Sequence, residues 1–77
     1  MIAHLKKFTR AEDGTLVAEA SSLGLQPGQV PSRLIITSEE GELYFSYHEP
    51  DTHRGKLVGF RYREQENRSG RALLIND

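Results

Sequence analysis

The stretch RLIITSEEGELYFSYH, residues 33–48, decides the fold that the sequence predicts. Two runs rich in β-branched and aromatic residues, 33–38 and 42–48, flank the short polar connection EEG. Gly41 in that connection tolerates a positive φ, which tight hairpin turns require. The stretch therefore predicts an antiparallel β-hairpin.

The register of this hairpin determines which side chains share a face. The sequence suggests that Ser38 pairs with Glu42 around the connection. Side chains alternate along a strand, so this register gives two groups on opposite faces: Ile35, Thr37, Leu43 and Phe45 on one, and Leu34, Ile36 and Tyr44 on the other. Both groups contain large apolar residues. We therefore expect the sheet either to curl into a small barrel under a second layer or to contact another subunit.

Two further strands are predicted downstream of the hairpin. KLVGFRYR (56–63) and RALLIN (71–76) have the same composition and lie between polar segments. If His48 pairs with Lys56, the four strands form an antiparallel meander.

The sequence upstream of the hairpin is less regular. FTRAEDGTLVAEA (8–20) predicts another hairpin with its turn at AEDG, and ASSLG (20–24) suits a short helical turn. LQPG (25–28) fits a type II turn in a crossing loop. For residues 1–9 a helix remains an open alternative.

Together these elements predict one small, mainly β domain spanning residues 1–77. We expect an antiparallel sheet of four to six strands, either a meander or barrel-like, with little helix. The chain has 77 residues, which leaves no room for a second core. The predicted core comprises Leu16, Leu34, Ile36, Phe45, Val58, Phe60 and Leu74.

Composition excludes several classes of site. The chain has no cysteine, so it forms no disulfide and has no thiolate zinc site, iron–sulfur cluster or cysteine nucleophile. No apolar run is long enough for a signal peptide or a bilayer span. We therefore expect a cytoplasmic protein without a membrane segment. No cofactor is predicted.

The segment HEPDTHRG (48–55) raises the question of a metal site. Its candidate ligands are imidazoles and carboxylates, which suit zinc, manganese or iron: His48, Glu49, Asp51 and His53. However, Thr52 interrupts the H-E-x-x-H pattern, and Pro50 breaks the helix that this pattern needs. A solvated loop is the favoured interpretation, and no metal is predicted.

Charge is unevenly distributed along the chain. The net charge is −1 overall, but it is −4 for residues 1–52 and +3 for residues 53–77. In GFRYREQENRSGR (59–71) two arginines alternate with two aromatics, which predicts that they lie on opposite faces of a strand. A basic sheet surface is typical of single-stranded nucleic-acid binders. The candidate residues are Arg54, Lys56, Arg61, Arg63, Arg68 and Arg71, although a charge-balanced solvated face is favoured.

Catalytic motifs are not found. No serine lies in a G-x-S-x-G elbow, and there is no phosphate-binding loop or G-x-G-x-x-G. Glu39 and Glu40 fall in a turn open to water, where raised pKa values are not expected. The sequence therefore does not favour an enzyme.

Two resemblances add expectations of their own. The segment DGTLVAEASSLGLQPGQVP (13–31), with the ending LLIND, resembles short single-domain bacterial proteins of unassigned function. This resemblance gives no information about an activity, a cofactor or a site residue. LGLQPGQV (23–30) leading into EEGELYF (39–45) resembles part of the AbrB-type swapped-hairpin DNA-binding antitoxins. That resemblance implies a dimer and nucleic-acid binding. Gln29 replaces the acidic residue of the family's turn.

The leading expectation is a non-enzymatic protein-interaction module that forms a homodimer through its sheet. It rests on the predicted two-faced apolar sheet in a short, cysteine-free chain. The alternative is weak binding of nucleic acid or another polyanion through the basic surface of residues 54–71.

Overall fold

The structure, a computed structural model, describes residues 2–25, 29–51 and 56–76, with the backbone alone for 49–51 and 76. The described chain is mainly β, as predicted, but it forms two four-stranded antiparallel sheets rather than one meander or a closed barrel. Residues 26–28 of the predicted turn at 25–28 lie outside the described residues. No helix among the described residues is long and apolar enough to cross a membrane.

The strands of the described chain are named in chain order: β1 Ile2–His4, β2 Thr9–Arg10, β3 Thr15–Glu19, β4 Val30–Glu39, β5 Glu42–Asp51, β6 Leu57–Arg63, β7 Ser69–Arg71 and β8 Leu73–Asn76. Sheet A has the order β1-β5-β4-β7 and sheet B the order β2-β3-β6-β8. A 3₁₀ helix, Ala20–Leu23, follows β3 and confirms the predicted helical turn. Within residues 1–9, for which a helix was left open, the structure has β1 and the start of β2.

The hairpin of β4 and β5 forms as predicted, but its register is shifted by one residue. Glu39 pairs with Glu42 and Ser38 with Leu43, so the predicted pairing of Ser38 with Glu42 is wrong. The turn consists of Glu40 and Gly41, whose φ angles are 51° and 82°. Positive φ at both central residues defines the type I′ turn, whose twist matches that of two paired strands.

This shift changes which residues share a face. Moving the pairing by one residue brings the apolar positions of both strands to the same side of the sheet. The buried group is Leu34, Ile36, Leu43 and Phe45. Ile35, Thr37 and Tyr44 point away from the core and are half-buried. The predicted sheet with large apolar residues divided between two faces is therefore wrong.

The predicted continuation from β5 into β6 is also wrong. His48 lies opposite Ser32 of β4, not opposite Lys56. The chain leaves sheet A after Asp51 and enters sheet B at Leu57. The pairing of β6 in sheet B follows from its side chains, because one face of this strand is buried and the other is exposed. Pairing with β3 gives that buried face apolar cross-strand neighbours.

The predicted hairpin at residues 8–20 is confirmed by β2 and β3. Ala11 N–H donates to the Thr15 carbonyl at 2.7 Å, and Gly14 has a φ of 86°. The Asp13 carboxylate accepts a hydrogen bond of 2.9 Å from the Thr15 N–H. That bond is the main cause that holds the pKa of Asp13 below its usual range. The side chain thereby fixes the turn.

The core lies between the two sheets. Five of the predicted core residues are buried: Leu16, Leu34, Ile36, Phe45 and Phe60. Leu74 is partly buried and packs against this cluster. Val58 is wrong as a core residue, because 51% of it is exposed. The pairings Leu57–Asn76 and Gly59–Ile75 leave Val58 in a β-bulge, which interrupts the alternation that the prediction assumed.

The segment of β7 and β8 ties the two sheets together. β7 pairs with β4 in sheet A, and β8 pairs with β6 in sheet B. Ala72, between them, donates its N–H to the Leu34 carbonyl at 2.9 Å. A Cβ atom added to Gly70 would lie 2.8 Å from the Tyr62 hydroxyl and 2.9 Å from its Cε1. Gly70 thus provides the space in which the Tyr62 ring of sheet B packs against sheet A.

Gly70→Ala is expected to lower the free energy of unfolding by about 1–3 kcal/mol, because the buried Tyr62 ring must move away from the new methyl group. Chemical denaturation measures this change. Arg71→Ala, at the exposed neighbouring position, serves as the control and is expected to change stability by less than about 0.5 kcal/mol. An equally stable Gly70→Ala variant would contradict the close packing of Tyr62 on β7.

Tyr62→Phe is expected to stabilise the fold by about 1 kcal/mol. The Tyr62 side chain is buried, and none of the described residues offers its hydroxyl a hydrogen-bond partner. Burial, aided by the charge of Glu64, raises the pKa of Tyr62 above its usual value. A raised folded-state pKa leaves stability intact below about pH 10 and reduces it as the pH rises further.

Chemical denaturation at about pH 8 and about pH 11 checks both effects, because Tyr62→Phe is expected to lose less stability at the higher pH than the parent chain. A variant that is less stable at the lower pH would contradict an unpartnered hydroxyl.

Candidate interaction surface

The outer face of sheet B is built by the alternation of side chains along β6. Phe60 and Tyr62 point into the core, whereas Arg61 and Arg63 are exposed on the outer side. The predicted separation of arginines from aromatics onto opposite faces is confirmed. Because both rings are buried, they are not available to stack on a ligand beside the arginines.

Four aliphatic residues lie on the same outer face and form what we call the apolar strip: Val17, Val58, Leu73 and Ile75. Val17 pairs with Arg61, and Arg61 pairs with Leu73. Arg61 therefore lies between two aliphatic residues on the outer face of the sheet. Val58 is 51% exposed and Leu73 is 68% exposed. Exposed aliphatic residues are common singly, but several of them on one face point to association.

Part of the apolar strip lines a shallow groove of about 400 Å³. Phe8, Val17, Val58 and Ile75 contribute apolar walls, and Gly59 lies between them. A Cβ atom at Gly59 would collide with the Ala18 carbonyl oxygen, so only glycine permits this approach of β6 to β3. The polar residues along the groove are Lys7, Thr9, Glu19, Ser21 and Ser22.

The structure does not bring the six predicted basic residues together. Arg61 and Arg63 share the outer face of sheet B, and Lys56 is exposed just before β6. Arg71 belongs to β7, where it pairs with Ile35 on the outer side of sheet A. Arg68 lies in the connection before β7, and its carbonyl accepts a hydrogen bond from Ser38. Arg54 lies outside the described residues.

The two arginines of β6 have no ion pair among the described residues. Glu64, which follows them, forms its salt bridge with Arg10 at 2.7 Å. The charge of Arg63 contributes to lowering the pKa of Asp13. The nearby acidic run Glu39, Glu40 and Glu42 belongs to the tip of the hairpin in sheet A and forms no salt bridge with these arginines.

The predicted metal candidates fall largely outside what the structure describes. The side chain of His48 is exposed on β5. The side chains of Glu49, Asp51 and His53 lie outside the described part of the chain. Among the side chains that are described, no group of three or more histidines and carboxylates is placed to hold a metal ion.

The outer face of sheet A mixes polar and apolar side chains and carries contacts of its own. His4 Nε2 lies 2.6 Å from Glu42 Oε2, and the His4 ring stacks on Tyr44 with 5.1 Å between centroids. The hydroxyl groups of Thr37 and Ser69 are 2.9 Å apart. Ile2, on the edge strand β1, is 74% exposed. The aliphatic group on sheet B therefore makes that face the stronger candidate for an interface.

The apolar strip was not predicted from the sequence, although RALLIN carries a usable signal. Leu73, Leu74 and Ile75 are consecutive, and in a strand only alternate residues enter one core. Leu74 faces the core, which places Leu73 and Ile75 outside. Val17 and Val58 gave no comparable signal, because the pairing of β3 and the bulge of β6 depend on the tertiary fold.

Comparisons with known proteins give no relative: no protein-family model, curated protein or solved structure matches this chain.

Proposed function

We propose that the protein is a non-enzymatic protein-interaction module that self-associates through sheet B as a homodimer. The observation that carries this proposal is the exposure of Leu73, 68%, within the apolar strip. Burying such a strip removes apolar surface from water, at about 25 cal/mol per Å². The chain also has no cysteine for a disulfide, and association is another way in which small domains gain stability.

Two sequence features also favour this class of function. The chain lacks the motifs that usually place a nucleophile or a phosphate, which favours binding over catalysis. The resemblance of residues 23–45 to AbrB-type proteins implies a dimer as well. The cytoplasmic location remains a prediction from the sequence.

Leu73→Asp is expected to weaken self-association at least tenfold, because the carboxylate would have to be desolvated at the interface. Sedimentation velocity over a range of concentrations measures the dissociation constant. Ile2→Asp is the matched control, since Ile2 is similarly exposed, at 74%, but lies in sheet A. It is expected to leave the dissociation constant unchanged.

A parent chain that keeps the monomer mass of 8.7 kDa at high micromolar concentration would refute the homodimer. If Ile2→Asp weakens association as much as Leu73→Asp does, the interface does not lie on sheet B.

The second candidate function is weak binding of nucleic acid or another polyanion. Arg61 and Arg63 favour it, because both are exposed on one face and neither forms an ion pair with a described carboxylate. Phosphate groups bind such cations with an affinity that falls steeply as salt rises. The separation of Arg71 onto sheet A limits the surface to fewer cations than the sequence suggested.

For this function, Arg61→Ala/Arg63→Ala is expected to reduce the binding of labelled single-stranded and duplex oligonucleotides at about 50 mM salt, and the parent's binding is expected to weaken at about 200 mM. Fluorescence anisotropy measures both. Arg68→Ala/Arg71→Ala removes the same charge elsewhere and is expected to have a smaller effect. No binding by the parent chain at the lower salt concentration excludes this function.

A further inference from the structure

We infer that two copies of this chain pair along β8, so that their two sheets B join into one continuous eight-stranded sheet. This inference deepens the proposed self-association and rests on it. It assigns the contact to the edge of sheet B and not to its broad outer face. The strand that pairs with the open edge of β8 is the β8 strand of a second copy of this chain.

First, β8 has an open side within the described part of the chain. It is the last strand in the order β2-β3-β6-β8, and within the described chain it pairs only with β6. An edge strand presents backbone N–H and C=O groups that another strand can pair with. Leu73, the first residue of β8, is 68% exposed.

Second, β8 carries no charged residue between Leu73 and Asn76. The other three edge strands of the described sheets each carry a basic or titratable residue, namely His4 on β1, Arg10 on β2 and Arg71 on β7. Charges on edge strands oppose pairing with another chain. β8 has the sequence LLIN and lacks this protection.

Third, the sequence of β8 is complementary to itself in an antiparallel pairing. A two-fold axis near Leu74 places each Leu74 opposite its copy and each Leu73 opposite Ile75 of the second copy. Such cross-strand aliphatic pairs stabilise an antiparallel ladder. No like charges meet within the paired strands.

The broad outer face suits a second copy less well. Packing two such faces together would bury Arg61 and Arg63 of both copies between the sheets. Buried cations without paired carboxylates carry a large desolvation cost. Pairing along β8 leaves these arginines in water while it brings Leu73 and Ile75 of both copies together.

The geometry of the joined sheet gives a direct test. The order β2-β3-β6-β8-β8-β6-β3-β2 separates the two β2 strands by seven strand spacings, which amounts to about 34 Å. Face-to-face packing would instead separate the sheets by about 10 Å. Thr9 lies on β2 and is exposed.

Thr9→Cys gives a single thiol in a chain without cysteine, and a nitroxide spin label attached there reports the distance between copies. Pulsed electron–electron double resonance, at a protein concentration above the measured dissociation constant, is expected to give a distance of about 34 Å between the two labels. A distance below about 20 Å overturns edge pairing and leaves self-association standing.

Val58→Asp provides a second measurement by sedimentation. Val58 is 51% exposed but belongs to β6, one strand away from the edge. Edge pairing predicts that Val58→Asp changes the dissociation constant less than threefold while Leu73→Asp raises it at least tenfold. Equal effects of the two variants overturn the inference. A parent chain that remains monomeric overturns both the inference and the proposed homodimer.

Discussion

The turn of Glu40 and Gly41 is the constraint on which the rest of the structure depends. A two-residue turn leaves a single register for β4 and β5, and that register gathers Leu34, Ile36 and Phe45 on one side. A turn longer by one residue would divide these side chains between two faces. The buried face of sheet A, and with it the packing of sheet B, follows from the positive φ values of two residues. Asn67 reinforces the turn, because its side chain accepts the Glu40 N–H at 3.1 Å.

Local sequence patterns were sufficient to predict most elements of this fold, but they did not predict β1 or the division of the predicted strand 71–76 between β7 and β8. The hairpin at 8–20, the 3₁₀ helix and the strands around 33–48 all carry propensity and turn chemistry that act within a few residues. The partners of each strand were not predictable in this way. β6 pairs with β3, about forty residues earlier, because their buried faces match, and no local signal records that match.

The candidate surface was predictable only in part. Alternation along β6 placed Arg61 and Arg63 on one exposed face, since it depends on strand geometry alone. Their aliphatic neighbours come from β3 and β8, so they become visible only when the sheet is assembled. Val58 was predicted to face the core, but the β-bulge in β6 turns its side chain to the outer face. The position of Arg71 was not predictable either. The chain passes from sheet A to sheet B at Ala72, so Arg71 lies on a different sheet from Arg61 and Arg63.

The position of β7 and β8 on different sheets has a consequence for partly folded states of the chain. β4 and β6 are long central strands, yet each has one side that is covered only when residues 69–76 arrive. Until residues 69–76 pair, both strands therefore present open edges of backbone N–H and C=O groups, and the space around Tyr62 is not yet enclosed. Such intermediates are prone to misassociation with other chains. A partly folded chain in which residues 69–76 have not yet docked is therefore exposed to misassociation, since neither sheet is yet tied to the other through β7 and β8.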